Sequence, residues 1–391
     1  MGRPARSNVI SIRAPPHREL ACGFNGVRAT KPRLYGTVEV RTPAGNAISA
    51  AYVSLGLYCH ENISYRPENR SSLTTQKQTK TTIIGKEVLL WQAPAGRSHE
   101  EIMSLDLPFM LPFPTAKDNL LPATLVKSSR STTYELVATL HSINLPAERV
   151  AIELIMEKFD QLPIWGMFTV HQVLKPSSID HIVEMEISLP RTCYGPGDPV
   201  VCTATLTGNP DWQAKVKKVR AEKLMMWIDQ VVTYRLSTTD RDATHSRVKK
   251  VAENRIDFGG LKLIEKPITQ RISVPFPKAD LRDRAGLVSS NDSLVPGRAA
   301  FSTTCELYTV EFQLNVRASF KGAKDILSTV PIVGSRYTLT EAKVILENIE
   351  SAVLEAVEID VVTGLCGEAQ VVRKEDIGPG MQARKRTVVM E

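Results

Sequence analysis

The stretch from Ser104 to Leu125, SLDLPFMLPFPTAKDNLLPATL, sets prolines at 108, 112, 114 and 122 among large apolar side chains. A helix cannot hold them, because each proline removes a backbone donor and clashes with the preceding turn. Met103, Leu105, Leu107, Phe109, Leu111 and Phe113 share one parity, while Ser104, Asp106, Pro108, Met110 and Pro112 share the other. That is period two, the pattern of a strand with one buried face. Proline confines such a run to a sheet edge or a strand end, where no ladder partner needs the missing N–H. The stretch reads as an edge strand leaving its sheet.

The same alternation recurs along the chain. Val53, Leu55, Leu57 and Cys59 share a face, as do Tyr134, Leu136, Ala138 and Leu140. After a short polar break at Lys175-Pro-Ser-Ser178, Val183, Met185, Ile187 and Leu189 begin the pattern afresh, followed by Val200, Cys202, Ala204 and Leu206. The clearest strand runs from Tyr308 to Phe320. The halves also repeat one order: Leu111-Pro-Phe-Pro114 leads through a polar loop to the strand at Tyr134, and Val274-Pro-Phe-Pro277 leads through a longer one to the strand at Tyr308. A chain of 391 residues suits two domains. The expected fold is all-β, two tandem antiparallel β-sandwiches of immunoglobulin-like topology. The expected boundaries are a basic, partly disordered arm at 1–30, sandwiches at 31–176 and 180–336, and a tail at 337–391. In that tail Val344, Ile345, Ile349, Val353 and Val357 recur near a helical period, with Thr340 as the expected cap.

Composition narrows the chemistry. No apolar run is long enough for a membrane-spanning helix, and the basic N-terminus lacks the apolar core of a signal peptide. The six cysteines, at 22, 59, 193, 202, 305 and 366, form no CxxC or Cys/His spacing, so reduced thiols and no metal are expected. The Asn62 and Asn69 sequons then read as chance matches. The seven histidines are scattered, and no GxSxG, P-loop, GxGxxG or HExxH occurs. Gly259-Gly260 reads as a turn, His99-Glu-Glu101 as a solvated turn, Asp280 to Arg284 as a charged loop, and Trp227, beside Met225 and Met226, as core. No catalytic residue and no cofactor are expected.

Net charge is +7, and AKVKKVRAEK gathers Lys215, Lys217, Lys218, Arg220 and Lys223. Such a run is either a solvated face or a patch for anionic lipid headgroups or an acidic partner tail. Nucleic acid is not expected, because no aromatic stacking platform or zinc-finger spacing accompanies the bases.

The sequence resembles the arrestin-like proteins, in the style of the fungal α-arrestins. The residues that carry the resemblance are Gly36-Thr-Val38, Leu107-Pro-Phe109, Leu121-Pro122, Thr133-Tyr-Glu-Leu136, Tyr194-Gly-Pro-Gly-Asp198, the segment Leu224 to Arg235, and Val330-Pro-Ile332, in that order over roughly residues 30 to 335. The resemblance implies a non-enzymatic cytoplasmic adaptor, recruited peripherally to the plasma membrane or endosomes. Its partners would be cytosolic tails of membrane transporters or receptors, with endocytosis, sorting or ubiquitylation as the outcome. No PPxY or LPxY occurs, so a HECT-type ubiquitin ligase would be engaged indirectly. The alternative is a subunit of an endosomal coat or retromer-like complex, which uses the same two-sandwich fold.

Overall fold

A computed structural model describes residues 9–43, 46–65, 75–114, 121–235, 244–264, 266–278, 301–376 and the backbone of 386–388. The Asn69 sequon and the Asp280–Arg284 loop lie outside the described residues. Two compact units are present: Met1–Phe159 together with Asn348–Glu391, and Asp160–Glu347.

The first unit holds β1 (Ile10–Arg13), β2 (Ala21–Cys22), β3 (Arg33–Arg41), β4 (Ile48–Tyr65), β5 (Gln76–Gln92), β6 (Glu100–Pro112), β7 (Leu125–Lys127), β8 (Arg130–Ser142) and β9 (Glu148–Leu154). Strand β4 pairs β6 through Ile48–Ala50 and then crosses to pair β8 through Ala50–Ile63, so one hydrogen-bonded sheet folds over on itself. The two layers close on a single core. Val38 and Val40 of β3, Leu55 of β4, Leu105 and Phe109 of β6, and Tyr134 and Leu136 of β8 are all buried in it. The Tyr134 hydroxyl donates to the Pro122 carbonyl at 2.7 Å, which satisfies a polar group at the margin of that core.

The second unit holds β10 (Gln172–Leu174), β11 (Val183–Leu189), β12 (Cys193–Tyr194), β13 (Pro199–Gly208), the short helix α1 (Gln213–Val216), β14 (Arg220–Arg235), β15 (Thr244–Lys262), β16 (Ile268–Pro275), β17 (Thr303–Thr304), β18 (Tyr308–Lys321) and β19 (Ile326–Gly334). Its sheets are β10-β11-β13-β16 and β12-β19-β18-β14-β15, with β17 beside β18. Inward residues of both, such as Ile187, Cys202, Leu224 and Val316, are buried. The rings of Phe276 and Phe312 meet across the layers at 4.9 Å. Strand β16, which ends in the second proline pair, is an edge strand, and its only partner among the described strands is β13.

Helix α2 (Leu339–Ala356) carries the chain from the second unit back into the first. Its cap is Thr338 rather than Thr340. The Thr338 hydroxyl accepts from the Glu341 N–H at 3.2 Å, and the Glu341 carboxylate accepts from the Thr338 N–H at 2.8 Å, a reciprocal capping box. The buried positions are Ala342, Ile349 and Ala356, one heptad apart, while Val344 and Val357 face outward. Beyond α2 come β20 (Gly364–Leu365), β21 (Ala369–Arg373) and β22 (Arg386–Val388).

Several expectations change here. The segment expected as an arm supplies β1, which pairs residue for residue with β3 from Ile10–Val40 to Arg13–Thr37. Residues 160–174 belong with the second unit, where β10 pairs β11. Strand β6 is interior: β3 lies on one side and the tail strands β20 and β21 on the other. The prolines remain consistent with this. Phe113, on the odd parity, donates to Pro32 on the β3 side, and the carbonyl of Pro108, on the even parity, accepts from Cys366 on the tail side. In an antiparallel strand a residue's N–H and C=O point the same way. The missing Pro108 donor therefore faces the tail, and the tail pairing breaks there into β20 and β21. Gly259 and Gly260, expected in a turn, lie inside β15 at positive φ, beside the bulge near Ala221 and Lys223. Trp227 is half-buried and opposite in parity to the buried Leu224, Met226 and Ile228, so it is not core. Its indole donates to Asp229 at 2.9 Å, and Lys250 stands 5.2 Å over the ring.

Candidate functional site: a basic, apolar-tipped end of the second unit

Three loops converge at one end of the second unit. The loop at 178–182 is joined to that at 209–219 by Asn209, whose N–H donates to Ile182 O at 2.9 Å and whose side chain donates to His181 O at 2.9 Å. It is joined to the loop at 321–325 by Asp180, which accepts from the Lys324 N–H at 3.0 Å. Gly322 in turn packs against the Lys218 carbonyl, so closely that a Cβ there would sit 2.9 Å from it. Burial disfavours the ionised form of Asp180, but hydrogen bonds from Ser178 and from the backbone of Lys324 and Ile182 outweigh it and hold its pKa below the usual carboxylate range. Asp325 behaves alike: burial raises it, and hydrogen bonds from Arg317, Ser319 and the Phe320 N–H outweigh this and hold it below the usual carboxylate range.

This scaffold displays the basic run. Asn209 caps the entry to the turn by accepting from the Asp211 N–H at 2.9 Å. Val216 and Val219 point inward and are buried, so Lys215, Lys217 and Lys218 point out. The Lys215 ammonium lies 4.0 Å over the Trp212 ring, and Trp212 is 41% exposed. On the neighbouring loop Ile179 is 87% exposed, an aliphatic side chain with almost no packing. Arg220 continues the patch, in register with Lys262 on one side and Lys321 on the other. Lys223 does not. It is half-buried and lies between Asp257 and Ser319 in the ladder.

Four of the five residues picked from sequence therefore gather at one end, and Lys223 is set apart. Sequence reasoning missed Ile179, Trp212, Lys262, Lys321 and Lys324, because their shared address is created by loops far apart in the chain. The available signal was Ile179 itself, an isolated aliphatic residue between Ser178 and Asp180. Such a tip combines an exposed apolar knob, an amphipathic indole and exposed cations, which suits an anionic interface.

Among the described residues no group of three or more His, Cys, Asp or Glu side chains is arranged to hold a metal, and no helix is long and apolar enough to cross a membrane. All six cysteines are free. Burial pushes the Cys193 and Cys202 thiols up to about 12.

The architecture is that of an arrestin-like tandem β-sandwich. Residues 180–333 match the family described as Arrestin (or S-antigen), C-terminal domain, a span that takes in β11 to β18 and nearly all of β19. No curated protein matches the chain significantly.

Proposed function

We propose that the protein is a non-enzymatic arrestin-like adaptor that binds cytosolic tails of membrane proteins and rests the tip of its second unit on an anionic membrane surface. The observation that carries this reading is the convergence of Ile179, Trp212, Lys215, Lys217 and Lys218 at one end of a unit whose sequence matches the arrestin C-terminal domain. Endocytosis, sorting or ubiquitylation of the bound cargo is the outcome such an adaptor serves. The absence of a PPxY motif makes recruitment of a HECT-type ligase indirect.

The test is sedimentation of the full-length protein with liposomes. Each lysine near an anionic leaflet contributes roughly 1 kcal/mol. Reversal of Lys215, Lys217 and Lys218 to Glu is therefore expected to abolish binding to phosphatidylserine vesicles, and Ile179→Asp to weaken it at unchanged net vesicle charge. Undiminished binding by both variants refutes the tip. Purification from native cells separates the roles: membrane transporters at low stoichiometry support the adaptor, and one equimolar partner makes it a coat subunit instead.

A further inference from the structure

The first unit carries an open sheet edge that this reading leaves unused. The only partner of β9 (Glu148–Leu154) among the described strands is β8. Its residues alternate: Arg149, Ala151 and Glu153 are exposed, while Val150, Ile152 and Leu154 pack against the core and yet stay only half-buried. Core-facing side chains that keep part of their exposure mark a side from which neighbours are missing. An edge of this kind presents a row of N–H and C=O groups that can template a further strand.

The charges on β9 find no partner within the chain. Among the described residues neither Arg149 nor Glu153 forms an ion pair. In the ladder Arg149 stands opposite Thr139, and Glu153 stands opposite Glu135, whose carboxylate lies 3.3 Å from His60. Like charges directly opposite each other are destabilising, so Glu153 sits where its own sheet disfavours it. Edges guarded against pairing carry charges that repel a second copy. Strand β9 does the reverse. An antiparallel copy related by a two-fold axis through Ala151 sets Arg149 opposite Glu153 of the second copy, Glu153 opposite Arg149, and Val150 opposite Ile152 on the core side.

The ends of the strand match as well. Ile155, just past β9, is 44% exposed, and Leu145, in the loop before it, is 54% exposed. Under the same two-fold axis Ile155 comes level with Ala147 of the second copy, beside the loop that holds Leu145, so apolar surface meets apolar surface at both ends. We infer that β9 is the contact of a symmetric homodimer, in which two edges join antiparallel about Ala151 into one continuous sheet. Such an interface is isologous, and every favourable pair in it occurs twice. It uses no residue of the second unit, so it stands or falls separately from membrane binding by the tip.

The test is sedimentation velocity of the full-length protein over a dilution series into the high micromolar range, at the upper end of which a dimer is expected. Arg149→Glu and Glu153→Arg each set two pairs of like charges face to face, and each is expected to raise the dimer dissociation constant about tenfold or more. The double variant Arg149→Glu, Glu153→Arg restores opposite charges and is expected to dimerise as the wild type does, a recovery that damage to the fold would not show. The register is read separately. Directly opposed residues of an antiparallel pair have Cα atoms about 4.5–5.5 Å apart, within the span of a disulfide. Ala151→Cys, in a Cys22→Ser, Cys366→Ser background, is therefore expected to give a disulfide-linked dimer on mild oxidation. The inference is overturned if the protein is monomeric throughout the series, if its dimer is indifferent to the single reversals, if the charge swap fails to recover it, or if Ala151→Cys does not cross-link.

Discussion

Arg373 is the residue through which the tail's attachment to the first unit is best tested. Its guanidinium forms an ion pair with Glu100, and the Glu100 side chain is only 5% exposed. Around this pair β21 lies against β6 from Gln370–Asp106 to Arg373–Ile102, and Ala369 and Val371 are buried in the main core. The expectation of a solvated turn at His99-Glu-Glu101 thus fails at Glu100, which is the buried anchor of the tail. Replacing Arg373 with Met keeps an unbranched apolar stem but removes the guanidinium and strands a carboxylate away from water. Breaking a buried pair in this way costs about 3–5 kcal/mol. For a unit of roughly two hundred residues, 1 kcal/mol moves the melting temperature by about 2–4 °C, so the expected fall is on the order of 6–20 °C. Hydrogen-exchange mass spectrometry localises the effect: protection should fall in 102–110 and 364–373 and remain unchanged in β18. The double variant Glu100→Gln, Arg373→Met removes both charges and is expected to recover most of the loss. If Arg373→Met melts within a degree or so of the wild type, or if the double variant is no better than the single, the pair is not the anchor.

Three other outcomes follow from local geometry. Tyr134→Phe deletes the bond to the Pro122 carbonyl and is expected to destabilise the first unit by about 1 kcal/mol in urea unfolding. Gly195→Ala places a Cβ 2.0 Å from the Tyr337 carbonyl oxygen, where backbone meets backbone and neither side can yield, so soluble expression is expected to collapse. Because Asp180 and Asp325 have depressed pKa values, the stability they lend is complete above their unfolded value of about 4 and is lost as pH falls through the lower folded values. Exchange protection at the tip of the second unit should therefore stay constant from neutral pH down to about 4 and drop below it.

How much of this was legible depended on how far away each residue's partner lies. The alternation of Tyr308 to Phe320 could be read directly, because β18 is flanked by β14 and β19 and one face of it is core. The proline-marked strand β6 was legible as a strand, but its position in the sheet was not: the side that lacks donors is covered by β20 and β21, and strands of two and five residues carry too little periodicity to announce themselves. Trp227 was misplaced because a large aromatic favours burial in general, whereas the parity of its neighbours, Met226 and Ile228, assigns it to the other face. At the tip, the lysines were visible as a run of charge. The apolar half of the site was not, since the loop that carries Ile179 is tied to the loop that carries Trp212 only by the hydrogen bonds of Asn209.

The order in which the chain is made now acquires meaning. A ribosome finishes the second unit, Asp160–Glu347, before it makes the strands that complete the first unit's sheet. Domains generally fold as units during synthesis, at about 5–20 residues per second. The first unit must therefore wait, with the β6 edge uncovered, while nearly two hundred further residues emerge, an interval on the order of ten to forty seconds. During that interval Pro108 and Pro112, which cannot donate to an invading strand, guard the exposed edge against the wrong partner until the right one arrives. Pro108, which makes the mature pairing discontinuous, thus also leaves the uncovered edge a donor short for any other strand.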